Sequence, residues 1–128
     1  MQAILSINKL GVIGDKGKMA WNCKEDLAFF KKMTMGKNLL CGRKTADNLP
    51  KLKGRNVFVA SKNGRSIKDI LAKENIDYVI GGAEIFKQTL DKCDIIHCSR
   101  INDCSDGDTY FSLSDKQKEK TIYYEFNI

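Results

Sequence analysis

An α/β fold, with a mainly parallel central sheet flanked by helices and one antiparallel C-terminal strand, is predicted by three observations. Several short apolar runs are continuous rather than alternating, which is the pattern of strands buried on both faces. Between them lie stretches with helical spacing or helix-start signals, so strand and helix alternate along the chain. The last run, Thr121–Phe126, follows Ser99 with no helix expected between, so it should pair antiparallel at or near a sheet edge. With 128 residues the chain is expected to form a single domain over 1–128, large enough to bury a substantial core.

In chain order, Ala3–Ile7 reads as a first buried strand. A glycine-punctuated segment from Lys9 to Ala20 then leads to Trp21. It is long for a simple connection in so compact a chain, and Val12, Ile13 and Met19 give it apolar members. A lid or binding loop and a passive surface loop are the two readings. A helix begins after Asn22, for which Asn22 and Glu25 offer a capping pair.

Asp26 is the unusual residue of that helix. At helical spacing it shares a face with Phe29, Phe30 and Met33, the largest apolar groups nearby. A carboxylate there costs free energy unless it is partnered or used. From this segment alone a structural and a functional acid both stand.

Asn38–Gly42 is a second buried strand, and Arg43-Lys44-Thr45 follows at once, opening a short helix toward Leu49. Backbone N–H groups, cationic side chains and a hydroxyl at such a junction suit an anion. The pattern recurs where the strand Asn56–Ala60 runs into Ser61-Lys62-Asn63-Gly64. Ser66 then caps a helix through about Lys73. A third junction joins the strand Tyr78–Ile80 to Gly81-Gly82-Ala83-Glu84-Ile85-Phe86, where adjacent glycines let the backbone approach a ligand closely. Three strand-ends of one kind suggest a phosphate-bearing ligand lying across them.

Ile95–Ser99 is a further strand, in which His97 reads as an ordinary strand residue. The acidic turn Asn102–Asp108 fails as a calcium loop, because Ser114 stands where the closing Glu belongs. His97 has no ligand-spaced partner, and the five cysteines form no Cys-x-x-Cys pair, so no metal site is expected. Reduced, packed thiols are expected instead. No run is long enough to span a bilayer and the N-terminus lacks the pattern of a secretion signal, so a cytoplasmic location without membrane association is expected. The net charge of +6 is spread along the chain, and its lysines lack interleaved exposed aromatics, which argues against a nucleic-acid partner.

Taken together, Ile4-Leu5-Ser6, Gly11-Val12-Ile13-Gly14, Met19-Ala20-Trp21-Asn22, Glu25–Lys31, Gly42-Arg43-Lys44-Thr45, Gly54-Arg55, Ile80-Gly81-Gly82 and Gly107-Asp108-Thr109 stand in an order and spacing that resembles dihydrofolate reductases, in a compact form. The resemblance covers nearly all of the chain up to Phe111. It implies reduction of 7,8-dihydrofolate to tetrahydrofolate by hydride from NADPH, and antifolates as further ligands. Asp26 matches the family's buried acid, which binds the pteridine and promotes its protonation. Ser99 stands where the family has a hydroxyl bonded to that acid, and Trp21 where an indole helps hold an ordered water. These three are the expected catalytic group. Ile4, Leu5, Leu27, Phe30, Leu49 and Ile80 match substrate-lining positions, and Arg55 matches the arginine that grips the substrate's glutamate carboxylate.

For the cofactor, the resemblance points to Ser6, Ile13, Gly14, Gly17 and Met19 of the first strand and lid. It adds Gly42, Arg43, Lys44, Thr45, Ser61 and Lys62, together with Ile80, Gly81, Gly82, Ala83, Glu84, Ile85 and Phe86. Cations in this set favour NADPH over NADH, since a 2′-phosphate finds partners there. Three positions depart from the family pattern: Ala20 replaces a usual proline, Ala83 a frequent third glycine and Phe86 a common tyrosine. The chain is also short after Ser61 and after Phe111, so about six strands are expected rather than the family's eight, with the last beside the strand ending at Ser99. A monomer is expected. The rival readings are a reductase of another pterin or a pyrimidine on the same fold, and a relative that keeps the fold without catalysis.

Overall fold

The computed structural model describes residues 1–128. Eight strands form: β1 (Gln2–Asn8), β2 (Val12–Gly14), β3 (Asn38–Gly42), β4 (Asn56–Ala60), β5 (Tyr78–Gly81), β6 (Ile95–Asn102), β7 (Thr109–Tyr110) and β8 (Thr121–Asn127). Six of them make one sheet in the order β4-β3-β5-β1-β6-β8, while β2 and β7 pair antiparallel in a separate two-stranded sheet. Five helices connect them: α1 (Lys24–Thr34), α2 (Arg43–Asn48), α3 (Ile67–Lys73), α4 (Ala83–Thr89) and α5 (Asp115–Lys118).

The main core lies on the face of the sheet covered by α3 and α4, where Ala3, Leu5, Leu40, Val79, Ile96 and Cys98 meet Ile70, Ile85, Phe86 and Leu90. α1 packs on the other face. There Ile4, Leu39 and Tyr78 form a smaller cluster with Phe30 and Met33, and Phe29 packs at a tilt against Tyr124 and Phe126 of β8 with ring centroids 4.5 and 5.8 Å apart. Because side chains alternate along a strand, consecutive β1 residues serve opposite faces.

Three expectations are corrected. β8 does lie beside β6, but it runs parallel to it in continuous register from Ile96↔Thr121 to Asn102↔Asn127. The reason is α5, which the polar composition of its segment concealed. Phe111 and Leu113 carry the chain back along the α3/α4 face, and α5 turns it so that β8 starts from the same end as β6. Ser114 and Gln117 form a capping box at its start, a signal present in the sequence. The second correction concerns α1, which begins at Lys24 with Cys23 as its N-cap and no side-chain cap bond, so the Asn22–Glu25 pair does not form. Cys23 is buried with Val12, Trp21 and Ile101, and this packing sets the helix entry. Third, β4 is half-exposed rather than buried, because the chain passes from its end straight into α3 and leaves β4 at the sheet edge.

Candidate active site

The carboxylate of Asp26 is 7% exposed, beneath the first turn of α1. Its one side-chain hydrogen bond comes from the hydroxyl of Ser6, which donates to Oδ2 at 2.7 Å. Ser6 can reach it because it lies on the α1 face of β1, two residues beyond Ile4. Ile4 in turn packs with Leu39 and Tyr78 against Phe30, Met33, Leu52 and Ile80. An acid thus stands beside an apolar wall assembled from β1, α1 and β5. Leu27, 55% exposed, projects from the same helix turn, and half-buried Leu49 follows the end of α2.

Two expected partners are placed differently. The hydroxyl on Asp26 belongs to Ser6, expected among the cofactor contacts, and not to Ser99. Ser99 is 1% exposed and its Oγ has no hydrogen-bond partner. The two serines are nevertheless neighbours, paired in the register of β1 and β6. Leu5, expected to line the substrate, points its side chain to the α4 face among Cys98 and Phe86, as alternation after Ile4 requires. Trp21 is buried against Val12, Cys23 and Ile101, joining the end of the loop after β2 to β6.

Arg55 opens a second part of the site. Its Nη1 donates to Thr34 Oγ1 at the end of α1, at 3.2 Å, and its Nε donates to the carbonyl of Lys53, also at 3.2 Å. A cavity of about 400 Å³ beside it is lined by Lys31, Met35, Lys51, Lys53, Gly54 and Arg55. Four cations and no acid line that cavity, which suits a carboxylate-bearing ligand.

The three strand-ends do meet. Gly42 of β3 pairs with Ala60 of β4, and Cys41 pairs with Gly81 of β5, so the ends lie side by side at one edge of the sheet. Their backbones are bare at the points of closest packing. A Cβ on Gly42 would lie 3.1 Å from Ile85, and one on Gly82 would lie 3.3 Å from Thr45 Oγ1. Gly81 has φ +128, a conformation that L side chains rarely adopt. Arg43, Lys44 and Lys62 stand exposed around this ledge, with Thr45, Ser61, Ala83 half-buried and Glu84 exposed. Phe86 is buried beneath Gly81 and pairs with Phe111 at 5.8 Å.

The segment between Lys9 and Ala20 is tethered at several points. Asn8 Oδ1 accepts from the N–H groups of Leu10 and Val12 at 3.0 Å each, while its Nδ2 donates to the Ser105 carbonyl at 2.7 Å. Asp15 and Lys18 close a turn by paired backbone bonds. The Thr109 hydroxyl, together with the Lys16 N–H that donates to Asp108 Oδ2 at 2.9 Å, holds the Asp108 carboxyl below the usual range. Gly17 packs against Asn48 of α2. Ile13 is half-buried against the main core, Gly14 is half-buried at the end of β2, and Met19 is exposed.

Other polar groups are accounted for structurally. His97 lies between Tyr124 Oη at 3.0 Å and Gln2 Oε1 at 2.7 Å, and burial lowers its pKa. All five cysteines are free, and burial raises the thiols of Cys41, Cys93 and Cys98 to about 11.

The sequence model of the family described as "Dihydrofolate reductase" matches residues 1–126. The chain belongs to the dihydrofolate reductase family. It is 36% identical to "Dihydrofolate reductase type 8" of Escherichia coli, over 93% of this chain and 84% of that protein. It is 30% identical to "Dihydrofolate reductase" of Mycoplasma genitalium, over 98% of this chain and 93% of that one. Among solved structures it resembles "Dihydrofolate reductase from Enterococcus faecalis complexed with NADP(H) and RAB-propyl", with a TM-score of 0.79 and 32% identity, covering 89% of this chain and 77% of that chain.

Within this dihydrofolate reductase fold, sequence reasoning missed two residues that shape the site. Leu52 completes the apolar wall around Phe30 and Ile80; lying between Pro50 and Gly54 in a non-periodic stretch, it gave no pattern signal. Asn8 brackets the start of the loop after β1. An Asn immediately before a loop is a recognisable turn signal, but its bonds to Ser105 and Asp103 depend on the fold.

Proposed function

We infer that this chain reduces 7,8-dihydrofolate to 5,6,7,8-tetrahydrofolate with NADPH, working as a cytoplasmic monomer in which residues 1–128 form one domain. Membership of the dihydrofolate reductase family carries the reaction; the hydrogen-bonded acid against an apolar wall carries its assignment to residues. NADPH, when bound, supplies the hydride.

The adjoining ends of β3, β4 and β5 fit such a cofactor, since Arg43, Lys44 and Lys62 stand exposed there and Gly81-Gly82 packs closely against the Thr45 hydroxyl. Arg43, Lys44, Thr45, Ser61 and Lys62 would hold its phosphates, and Ile80, Ala83 and Glu84 would frame its nicotinamide half, with Ile85 and Phe86 buried beneath as support. Ile13, Gly14, Gly17 and Met19 of the lid would cover it.

Asp26 accepts hydrogen bonds from the amino and ring N–H groups of the pteridine and favours protonation of the ring nitrogen that the reduction requires. Ile4, Leu27, Phe30, Leu49 and Ile80 exclude water from the ring and fix its plane; Leu5 contributes through its position in β1. Arg55 turns its fork of donors to the terminal carboxylate, with Lys31, Lys51 and Lys53 lining the same cavity. Trp21 closes the water-facing side, and Ser99 offers a hydroxyl beside the acid. An inhibitor that mimics the protonated pteridine would bind the same acid and wall.

The test is direct. Absorbance of NADPH should fall when dihydrofolate is added to the folded protein, far faster than absorbance of NADH does. Folded protein that turns over neither would overturn the enzymatic reading, and turnover of another pterin alone would favour the rival reductase. Sedimentation should give a species of one chain.

A further inference from the structure

We propose that Ser6 is the residue that positions the acid in this chain, holding one oxygen of Asp26 from β1 so that the other faces the substrate. This deepens the proposed role of Asp26 and rests on it.

The geometry has three parts. Ser6 Oγ lies 2.7 Å from Asp26 Oδ2, a short charge-assisted distance, and it is the only side chain bonded to that carboxylate. Ser99, the residue expected from the family pattern to do this, is almost fully buried with its Oγ unpartnered. Ser6 and Ser99 are register partners on adjacent parallel strands, so both hydroxyls lie on the α1 face. Two hydroxyls therefore share the sheet face that meets the acid, and only one is bonded to it.

The division of labour follows. A carboxylate on the first turn of a helix can rotate about its own bonds; one fixed oxygen removes that freedom and presents the other in a set direction. A donor to a carboxylate also favours the charged form. Ser99, enclosed and with its Oγ unpartnered, holds neither oxygen of the acid. Ser6 is thus a positioning residue, acting on the reaction through Asp26.

Ser6→Ala removes one atom from a half-buried site. Thermal unfolding establishes that the variant is folded; should it not be, Ser6→Cys, which keeps a weaker donor in a similar volume, takes its place. The pH profile of kcat/KM is then measured for wild type, Ser6→Ala, Ser99→Ala, Asp26→Asn and the Ser6→Ala/Asp26→Asn pair.

The expected result is a loss of about tenfold in kcat/KM for Ser6→Ala, with the profile displaced to higher pH. In the Asp26→Asn background the same change should cost little, since residues that act as a unit are not additive. An unmoved profile in Ser6→Ala, a displaced one in Ser99→Ala, or an equal loss in both backgrounds would overturn the proposal. So would a raised KM for NADPH as the sole effect, which would return Ser6 to the cofactor set. If Asp26→Asn itself is fully active, the reading of the acid has failed; if it is crippled while Ser6→Ala behaves as wild type, only the role of Ser6 has.

Discussion

The two halves of the sheet build their parts of the site by opposite means. From β4 through β3 to β5, strand-ends expose bare backbone: Gly42, Gly81 and Gly82 leave out the atoms that would otherwise meet Ile85 and Thr45. From β1 to β6, the same sheet carries polar side chains inward: half-buried Ser6 bonds the acid, Ser99 is enclosed beside it in register, and Asn8 is buried where it ties down the loop after β1. One half works by what is missing and the other by what is buried. Substitutions should accordingly harm the first half by adding atoms and the second by removing them.

The largest effect should come from the second half. Asp26→Asn keeps the volume but removes the charge, and is expected to lower kcat at neutral pH by about 10²–10⁴-fold, the range for a proton-transfer group. Steady-state kinetics check it. Outside both sets of strand positions, in the segment before β4, Arg55→Ala deletes a charged donor and should raise the KM for dihydrofolate by about 10–100-fold, with kcat little changed, since a hydrogen bond to a charged group contributes about 1.5–3 kcal/mol. A fall in kcat instead would move Arg55 into the chemistry.

The first half is probed by addition. Gly81→Ala forces a side chain into φ +128 and should cost about 1–3 kcal/mol in urea unfolding, together with weaker NADPH binding by fluorescence titration. Gly82→Ala brings a methyl to 3.3 Å from Thr45 Oγ1, so Thr45 must give by a few tenths of an ångström, and its effect should be smaller. If both are tolerated with full NADPH affinity, the ledge is not where the cofactor lies.

The smallest effect is on stability alone. His97 is buried and its pKa lies below the ordinary value of 6.5. The unfolded chain therefore binds more protons in the interval between the two values, and stability falls as pH drops through it, levelling once the folded-state value is passed. Thermal unfolding from neutral to mildly acidic pH should show this step in wild type and not in His97→Gln. Activity at neutral pH should be unaffected.

The first half of this contrast was legible in the sequence and the second only partly. Glycines after apolar runs announce strand-ends whatever the tertiary pairing, so Gly42 and Gly81-Gly82 could be placed before the sheet order was known. Helical spacing likewise put Asp26 with Phe30. Which hydroxyl reaches the acid depends on which face of β1 meets α1 and on the β1–β6 register, and no local pattern encodes either; the sequence therefore pointed to Ser99 where the structure has Ser6. Leu5 was misplaced for the same reason, since a continuous apolar strand does not say which alternate residues face the site. The direction of β8 was lost because one polar turn, α5, reverses the path, and its only signal was the Ser114–Gln117 box.

The pH dependence of the ratio of kcat/KM between wild type and Asp26→Asn tests the central claim most directly. If Asp26 serves to promote protonation of the substrate ring, the deficit should be greatest at neutral pH and shrink in acid, where the ring is protonated by solvent. A ratio that stays constant across the range, or a variant as active as wild type at neutral pH, would contradict that role.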